Sequence, residues 1–246
     1  MMSANILNET LEIGLGERQA NVLGAIVRQY VKSAEPVGSQ TLVRQYHLHV
    51  SPATVRNDML YLEAKGLIAS PHPSAGRIPT ESGYRYYVKH QLLLAELSQG
   101  ERRQMEQVWD EEADEEVLLK RTAQVIAGLA NETIFISIGQ NQTYYTGFRF
   151  LFEQPEFRDK NFALNVGRLI DQFDQAVASL FDTSGSDIRI LVGSESPFGG
   201  GCSTAMFRRA LGSHDLLFGI LGPIRMDYDV NVARLNFIRN NLPAKV

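Results

Sequence analysis

Hydrophobic residues recur at helical spacing through the first quarter of the chain. Val55, Met59 and Leu62 stand at i, i+4 and i+7, which predicts a helix over about residues 52–65 with one buried side. Ser51 is a favourable N-cap residue, and Pro52 suits the first helical position. The same spacing predicts helices over about 17–33 and 39–46, and a tight turn over 47–50 separates the second helix from the third.

A segment rich in proline and glycine follows the third helix. Residues 67–80 contain Pro71, Pro73, Gly76 and Pro79, and this pattern predicts two short strands joined by a turn at residues 74–76. A further helix is expected to begin at about residue 80. Helices that are followed by such a hairpin are typical of a winged helix-turn-helix.

The rest of the chain changes from helical to strand-like patterning. A long helical stretch over about 98–130 contains six acids in the seven residues 110–116, which mark either a solvated surface or an interruption between two helices. Beyond it, strands are expected over 133–138, 143–147, 187–192, 203–209 and 214–221, and helices over 162–181 and 229–242. The predicted fold class is therefore α+β, with a mainly antiparallel sheet in the second half. We predict three parts: residues 1–90, a helical linker over 91–131, and a second domain over 132–246.

Charge is distributed unevenly along the chain. The whole protein carries a net charge of −4, but residues 16–90 hold nine Lys or Arg against five Asp or Glu, so this part is +4 and the remainder is −8. This asymmetry favours a basic nucleic-acid-binding part on an acidic body.

Several other classes of protein find no support in the sequence. No apolar run reaches the ~18 residues that span a bilayer, and no signal peptide is evident.

Cys202 is the only cysteine, which excludes an intramolecular disulfide, and we expect it to be packed rather than nucleophilic. The five histidines lack metal-ligand spacing, and the run Gly199–Gly201 lacks the lysine of a phosphate-binding loop. We predict no enzymatic activity, no cofactor, no metal and no membrane association, and a location in the cytoplasm at the nucleoid.

Candidate DNA-binding residues cluster around the third helix. Arg56 and Asn57 are expected to contact base edges or phosphates; the alternative is a helix-surface pair, or an ion pair of Arg56 with an acid one turn away. Arg77 follows the turn of the hairpin and is expected to meet the minor groove or a phosphate, unless it is merely solvated. The remaining candidates are polar residues suited to phosphate contacts or to positioning on the DNA backbone: Gln40, Thr41, Arg44, Ser51 and Thr54. For Ser51 the alternative is that it acts only as a helix cap.

Four sequence segments together resemble one family. They are SPATVRNDMLYLE (51–63), SPHPSAGRIPTESG (70–83), LFEQPEF (151–157) and GILGPIRMDY (219–228). In this order they resemble HrcA, the heat-inducible transcription repressor of bacterial chaperone operons. The resemblance implies a winged-helix DNA-binding domain, a GAF-like domain and a dimerising domain inserted into the latter. It also implies an inverted-repeat operator and the chaperonin GroEL as a partner.

The chain departs from that family pattern at residues 139–142. Members carry much more chain between the long helix and the strand at 144–147, so we predict a shortened member that lacks most of the inserted dimerising domain. The predicted function is a homodimeric repressor of heat-shock chaperone operons that is released under heat stress. The alternative is a winged-helix module that binds protein without DNA. A small-molecule sensor in the GAF-like half is compatible with the first function.

Overall fold

The computed structural model describes residues 14–72, 75–139, 142–155, 170–212 and 214–244. The described residues form two compact units, one ending at Gln91 and one beginning at Leu92. The predictions for Ser74 of the hairpin turn, for part of the segment 139–142 and for the first part of the helix expected from residue 162 lie outside the described residues.

Among its described residues, the first unit contains four helices and a two-stranded antiparallel hairpin. They are α1 (Glu17–Ser33), α2 (Ser39–Gln45), α3 (Pro52–Ala64), β1 (Ile68–Ala69), β2 (Ile78–Pro79) and α4 (Glu81–His90). The core side chains Leu23, Ile26, Leu42, Val55 and Leu62 are completely buried. The winged helix-turn-helix predicted from the hydrophobic spacing is confirmed.

Local chemistry fixes both ends of α3. At its start, the Ser51 hydroxyl accepts a hydrogen bond from the Thr54 N–H at 3.1 Å, and Pro52 occupies the first turn. At its end, Gly66 adopts a φ of 71°, which favours glycine. Thr80 then caps α4 and donates its hydroxyl proton to the Gly66 carbonyl at 2.6 Å. The hairpin formed by β1 and β2, here called the wing, is therefore tied to the end of α3.

A buried carboxylate joins α3 to α1. Asp58 is 3% exposed and accepts hydrogen bonds from Arg18 Nε at 2.8 Å, Arg18 Nη2 at 3.1 Å and Gln19 Nε2 at 3.1 Å. A buried charge requires such partners because it has lost its hydration. Asp58 thus anchors α3 to α1.

The second unit contains five helices and five strands among the described residues. They are α5 (Gln99–Glu111), α6 (Glu115–Ala130), β3 (Thr133–Ile138), β4 (Gln142–Thr146), α7 (Phe148–Glu153), α8 (Phe173–Thr183), β5 (Arg189–Val192), β6 (Cys202–Leu211), β7 (His214–Pro223) and α9 (Tyr228–Asn241). The helical stretch expected over 98–130 consists of two helices, which confirms the second interpretation of the acidic run, an interruption between two helices. The acidic run interrupts it, because Asp114 leaves the helical conformation and caps α6 by accepting from the Val117 N–H at 2.9 Å. The short helix α7 was not predicted.

The five strands form one antiparallel sheet in the order β4-β3-β7-β6-β5, which confirms the predicted sheet type. One face carries Phe135, Met206 and Leu217, which pack with Leu151 of α7 and Phe173 of α8 in an apolar core. The opposite face is covered by α6 and α9. Helices therefore cover both faces of the sheet.

Cys202, at the start of β6, belongs to the same apolar core and is 2% exposed, as predicted. Burial, with a smaller contribution from the Glu132 carboxylate, raises the pKa of this thiol to about 12. The side chain therefore stays protonated at neutral pH.

No helix in the described ranges is both long enough and apolar enough to pass through a lipid bilayer.

Candidate nucleic-acid interface

The solvent side of α3 displays the two residues that sequence analysis placed at its centre. Val55, Met59 and Leu62 face the core, whereas Arg56 and Asn57 are exposed. Within the described part of the chain, neither the Arg56 nor the Asn57 side chain has a hydrogen bond or an ion pair with another residue. The alternative, an ion pair between Arg56 and an acid one turn away, is therefore not supported by the described residues.

A cleft of about 510 Å³ opens between α2, α3 and the wing. It brings together four of the predicted residues, which come from three separate segments: Gln40, Thr41, Arg56 and Arg77. Arg44 lies exposed in the last turn of α2, and Asn57 is exposed in the first half of α3. The structure thus places the predicted residues on α2, on α3 and beside the wing.

The first turn of α3 carries Ser51 and Thr54. Ser51 is the cap, and its hydroxyl oxygen lies 3.0 Å from that of Thr54. Ser51 is exposed and Thr54 is partly buried. The positive end of the helix dipole at this turn favours an approaching phosphate.

Arg77 has a partner that sequence analysis did not foresee. Its Nε and Nη2 atoms lie 3.1 and 2.9 Å from Glu63 Oε2, and its Nη1 donates to the Ala75 carbonyl at 3.3 Å. Its side chain is only 19% exposed. The two sequence-based alternatives were a DNA contact and a solvated arginine; the ion pair is a third arrangement, which attaches the wing to the end of α3.

Backbone pairing supports the same attachment. The Val37 N–H donates to the Arg77 carbonyl at 2.8 Å, and the Arg77 N–H donates to the Val37 carbonyl at 2.9 Å. Gly76 lies so close to this pairing that a Cβ atom on it would stand 2.5 Å from the Val37 carbonyl. The local pattern predicts only a turn at Gly76, whereas this close approach depends on a loop almost 40 residues away.

Ion pairing within the first unit leaves basic groups on its surface. Asp58 pairs with Arg18, Glu63 with Arg77 and Glu81 with Arg85, so three of the five acids of residues 16–90 are neutralised internally. The hydrogen bond to Asp58 and its charge raise the pKa of Arg18. Arg44 and Arg56 are exposed and have no acidic partner within the described part of the chain. This arrangement is suited to a polyanion.

Two family models match the chain. The first is described as "Winged helix-turn-helix transcription repressor, HrcA DNA-binding" and matches residues 14–92. The second is described as "HrcA protein C terminal domain" and matches residues 84–232. The chain belongs to the HrcA family. The match of the first unit to a DNA-binding model favours DNA recognition over the protein-binding alternative.

Curated members of the HrcA family match about half of the chain. The heat-inducible transcription repressor HrcA of Beutenbergia cavernae is 47% identical over 120 residues, which cover 49% of this chain and 34% of that protein. The protein of the same name from Pelotomaculum thermopropionicum is 44% identical over 123 residues, which cover 50% of this chain and 35% of that protein. The chain therefore spans about a third of the length of the curated relatives it matches.

One solved structure supports the fold of this HrcA-family chain. A protein described only as "Crystal structure of a hypothetical protein at 2.2 A resolution" has a TM-score of 0.67 and 18% identity, over 93% of this chain and 98% of that one. At this level of identity the likeness concerns the fold alone.

Three further residues of α3 were not identified from the sequence: Leu60, Tyr61 and Asp58. Leu60 and Tyr61 on α3 are 51% and 41% exposed, although both side chains are large and mainly apolar. Asp58 is buried, although it is charged. One sequence signal was available for Asp58: it stands three residues after Val55, on the inner side of the helix.

Proposed function

We propose that this chain is a sequence-specific DNA-binding repressor of heat-shock chaperone operons. The observation that carries the proposal is the exposed Arg56–Asn57 pair on a capped helix, in a unit that matches a DNA-binding family model. An arginine can donate two hydrogen bonds to guanine, and an asparagine can form two with adenine. Helix α3 would enter the major groove.

The surrounding residues would position the helix on the duplex. Gln40, Thr41 and Arg44 on α2 can contact phosphates, and so can the start of α3 at Ser51 and Thr54. Arg77 would act through its ion pair with Glu63, which sets the wing against α3. We therefore assign Arg77 a positioning role and the other residues direct contacts.

Replacing Arg56 and Asn57 together with alanine tests this proposal. Each lost bidentate contact costs about 1–3 kcal/mol of discrimination, so specific binding should weaken at least about 30-fold in a gel-shift titration with an inverted repeat from a chaperone promoter. The melting temperature should change little, because both side chains are exposed. Arg103→Ala is the matched control, since Arg103 is an exposed arginine on α5.

Two results would contradict sequence-specific DNA recognition by α3. One is unchanged operator affinity in the double variant, and the other is an equal loss in Arg103→Ala. The affinity of the unaltered protein should also fall steeply with salt concentration, because phosphate neutralisation releases counterions.

We further propose that the chain binds its operator as a homodimer and acts in the cytoplasm at the nucleoid. Residues 1–90 would read DNA, and residues 132–246 would dimerise and receive the stress signal. Helices α5 and α6, within the predicted linker 91–131, pack in the second unit and would extend that regulatory part. The role would be regulatory rather than catalytic, in agreement with the protonated, buried thiol of Cys202.

GroEL is the proposed partner in stress sensing. Unfolded proteins would occupy the chaperonin during heat stress, and free repressor would then lose its active form and leave the operator. Operator binding should survive mild warming better with GroEL present than with an equal mass of albumin. Equal loss in both samples would remove the chaperonin from the mechanism.

A further inference from the structure

An exposed leucine occupies the middle of the DNA-facing side of α3. Successive residues of an α-helix are rotated by about 100°, so Ala53, Asn57, Leu60 and Ala64 form one ridge within about 60° of each other. All four are exposed, and Leu60 is exposed to 51%. This ridge lies opposite the buried side formed by Val55, Met59 and Leu62.

The ridge is apolar except for Asn57, but its neighbours are polar and basic. Leu60 lines the cleft that also contains Gln40, Thr41 and Arg56. Arg56 lies exposed one turn before Leu60 and has no acidic partner in the described part of the chain. An apolar side chain within a basic surface suits duplex DNA, where the only apolar group on a major-groove base edge is the thymine methyl.

We propose that Leu60 is a specificity-determining residue that contacts a thymine methyl group in each half-site. This inference rests on the proposed function, since it requires α3 in the major groove. Leu60 stands three residues after Asn57, which is about 4.5 Å along the helix axis. Stacked bases are about 3.4 Å apart, so the thymine should lie one or two base pairs from the base that Asn57 contacts.

Replacing thymine with deoxyuridine tests the contact, because this change removes only the methyl group. The duplex is obtained by selection with the full chain from a random library, and each thymine of one half-site is then replaced in turn. Burial of one methyl group corresponds to about a threefold to fivefold change in Kd. We expect this loss at one or two positions, each one or two base pairs from the position where Asn57→Ala relaxes base preference.

Leu60→Ala should bind the thymine duplex about threefold to fivefold more weakly and should no longer respond to deoxyuridine at that position. Alanine has a high helix propensity and Leu60 is exposed, so the variant should fold. Leu94→Ala is the matched control, because Leu94 is 58% exposed and belongs to the second unit. It should retain the full response to deoxyuridine.

The outcomes separate this inference from the proposed function. Specific binding by the unaltered protein with no response to any deoxyuridine would overturn the role of Leu60 and leave DNA recognition standing. That role is equally overturned if Leu60→Ala still responds to deoxyuridine, or if Leu60→Ala changes the oligomeric mass rather than the base preference. Failure of the unaltered protein to select any duplex would overturn both.

Discussion

At the scale of single residues, α3 combines an exposed polar side with a firmly held buried side. Its outer side needs exposed polar groups, and Arg56 and Asn57 supply them. Its inner side must be held firmly, and Asp58 does this through three hydrogen bonds to α1. Adjacent residues of one helix are therefore assigned separately, Arg56 and Asn57 to the proposed DNA contact and Asp58 to anchoring.

Asp58→Asn should destabilise the first unit without altering the exposed side of α3 that is proposed to contact DNA. An amide cannot accept the same three hydrogen bonds, so the free energy of unfolding should fall by about 1–3 kcal/mol. Urea unfolding followed by far-ultraviolet circular dichroism measures this change. Glu35→Gln removes an equal charge from an exposed position of the same unit and should change stability by less than about 0.5 kcal/mol. Equal midpoints for the two variants would show that Asp58 is not an anchor.

At the scale of elements, an ion pair joins the helices of the second unit. Arg234 of α9 donates to Glu101 Oε1 of α5 at 2.7 Å and to the Leu129 carbonyl of α6 at 3.0 Å. Trp109 of α5 stacks on Phe237 of α9 and donates to the Thr122 hydroxyl of α6 at 3.0 Å. These contacts hold α5, α6 and α9 together as one layer.

The Glu101–Arg234 pair makes the stability of this layer depend on pH. Burial alone would raise the pKa of Glu101, but hydrogen bonds from Arg234 and Ser98 outweigh it and lower that pKa below its ordinary value of 4.5. The stabilising contribution is therefore complete above about pH 4.5 and is lost as pH falls through the lowered value.

Arg234→Met should remove much of this pH dependence. At pH 7 the variant should lose about 3 kcal/mol of unfolding free energy, because the Glu101 carboxylate and the Leu129 carbonyl lose a partner. Below about pH 4.5 its difference from the unaltered protein should shrink. The fluorescence of Trp109, the single tryptophan, reports the unfolding. Arg103→Met serves as the exposed control, and a difference that stays constant down to about pH 3 would contradict the assignment.

At the scale of the whole molecule, the first unit, which carries the winged helix, is joined to a second unit that carries the larger sheet. One α3 helix covers only a few base pairs, so specific binding to an inverted-repeat operator requires the first units of two chains on one duplex. Dimerisation would supply the second chain, because once one winged helix is bound the other is held at a high effective concentration near the second half-site.

The dimer proposal predicts a large difference between one half-site and two. A duplex with the full inverted repeat should bind at least about 100-fold more tightly than a duplex with one half scrambled. Sedimentation with the full repeat should show two chains on each duplex. Similar affinity for both duplexes, with one chain bound to each, would contradict a dimeric repressor.

The sequence alone determined the features that depend on short-range pattern. The spacing of Val55, Met59 and Leu62, the cap at Ser51 and the glycine at the end of α3 were sufficient to locate the recognition helix and its exposed Arg56 and Asn57. Strand propensities likewise located the sheet of the second unit. These predictions succeeded because each depends on neighbours within a turn or a strand.

Only the tertiary structure decided which distant groups meet. Nothing near Arg77 in the chain indicates that it pairs with Glu63, and nothing near Gly76 indicates that it packs against Val37. The surroundings of Leu60 are likewise decided by packing, because Leu60 lines a cleft together with Gln40 of α2 and Arg77 of the wing. Such contacts depend on how the elements pack in three dimensions, and local pattern carries no information about that packing.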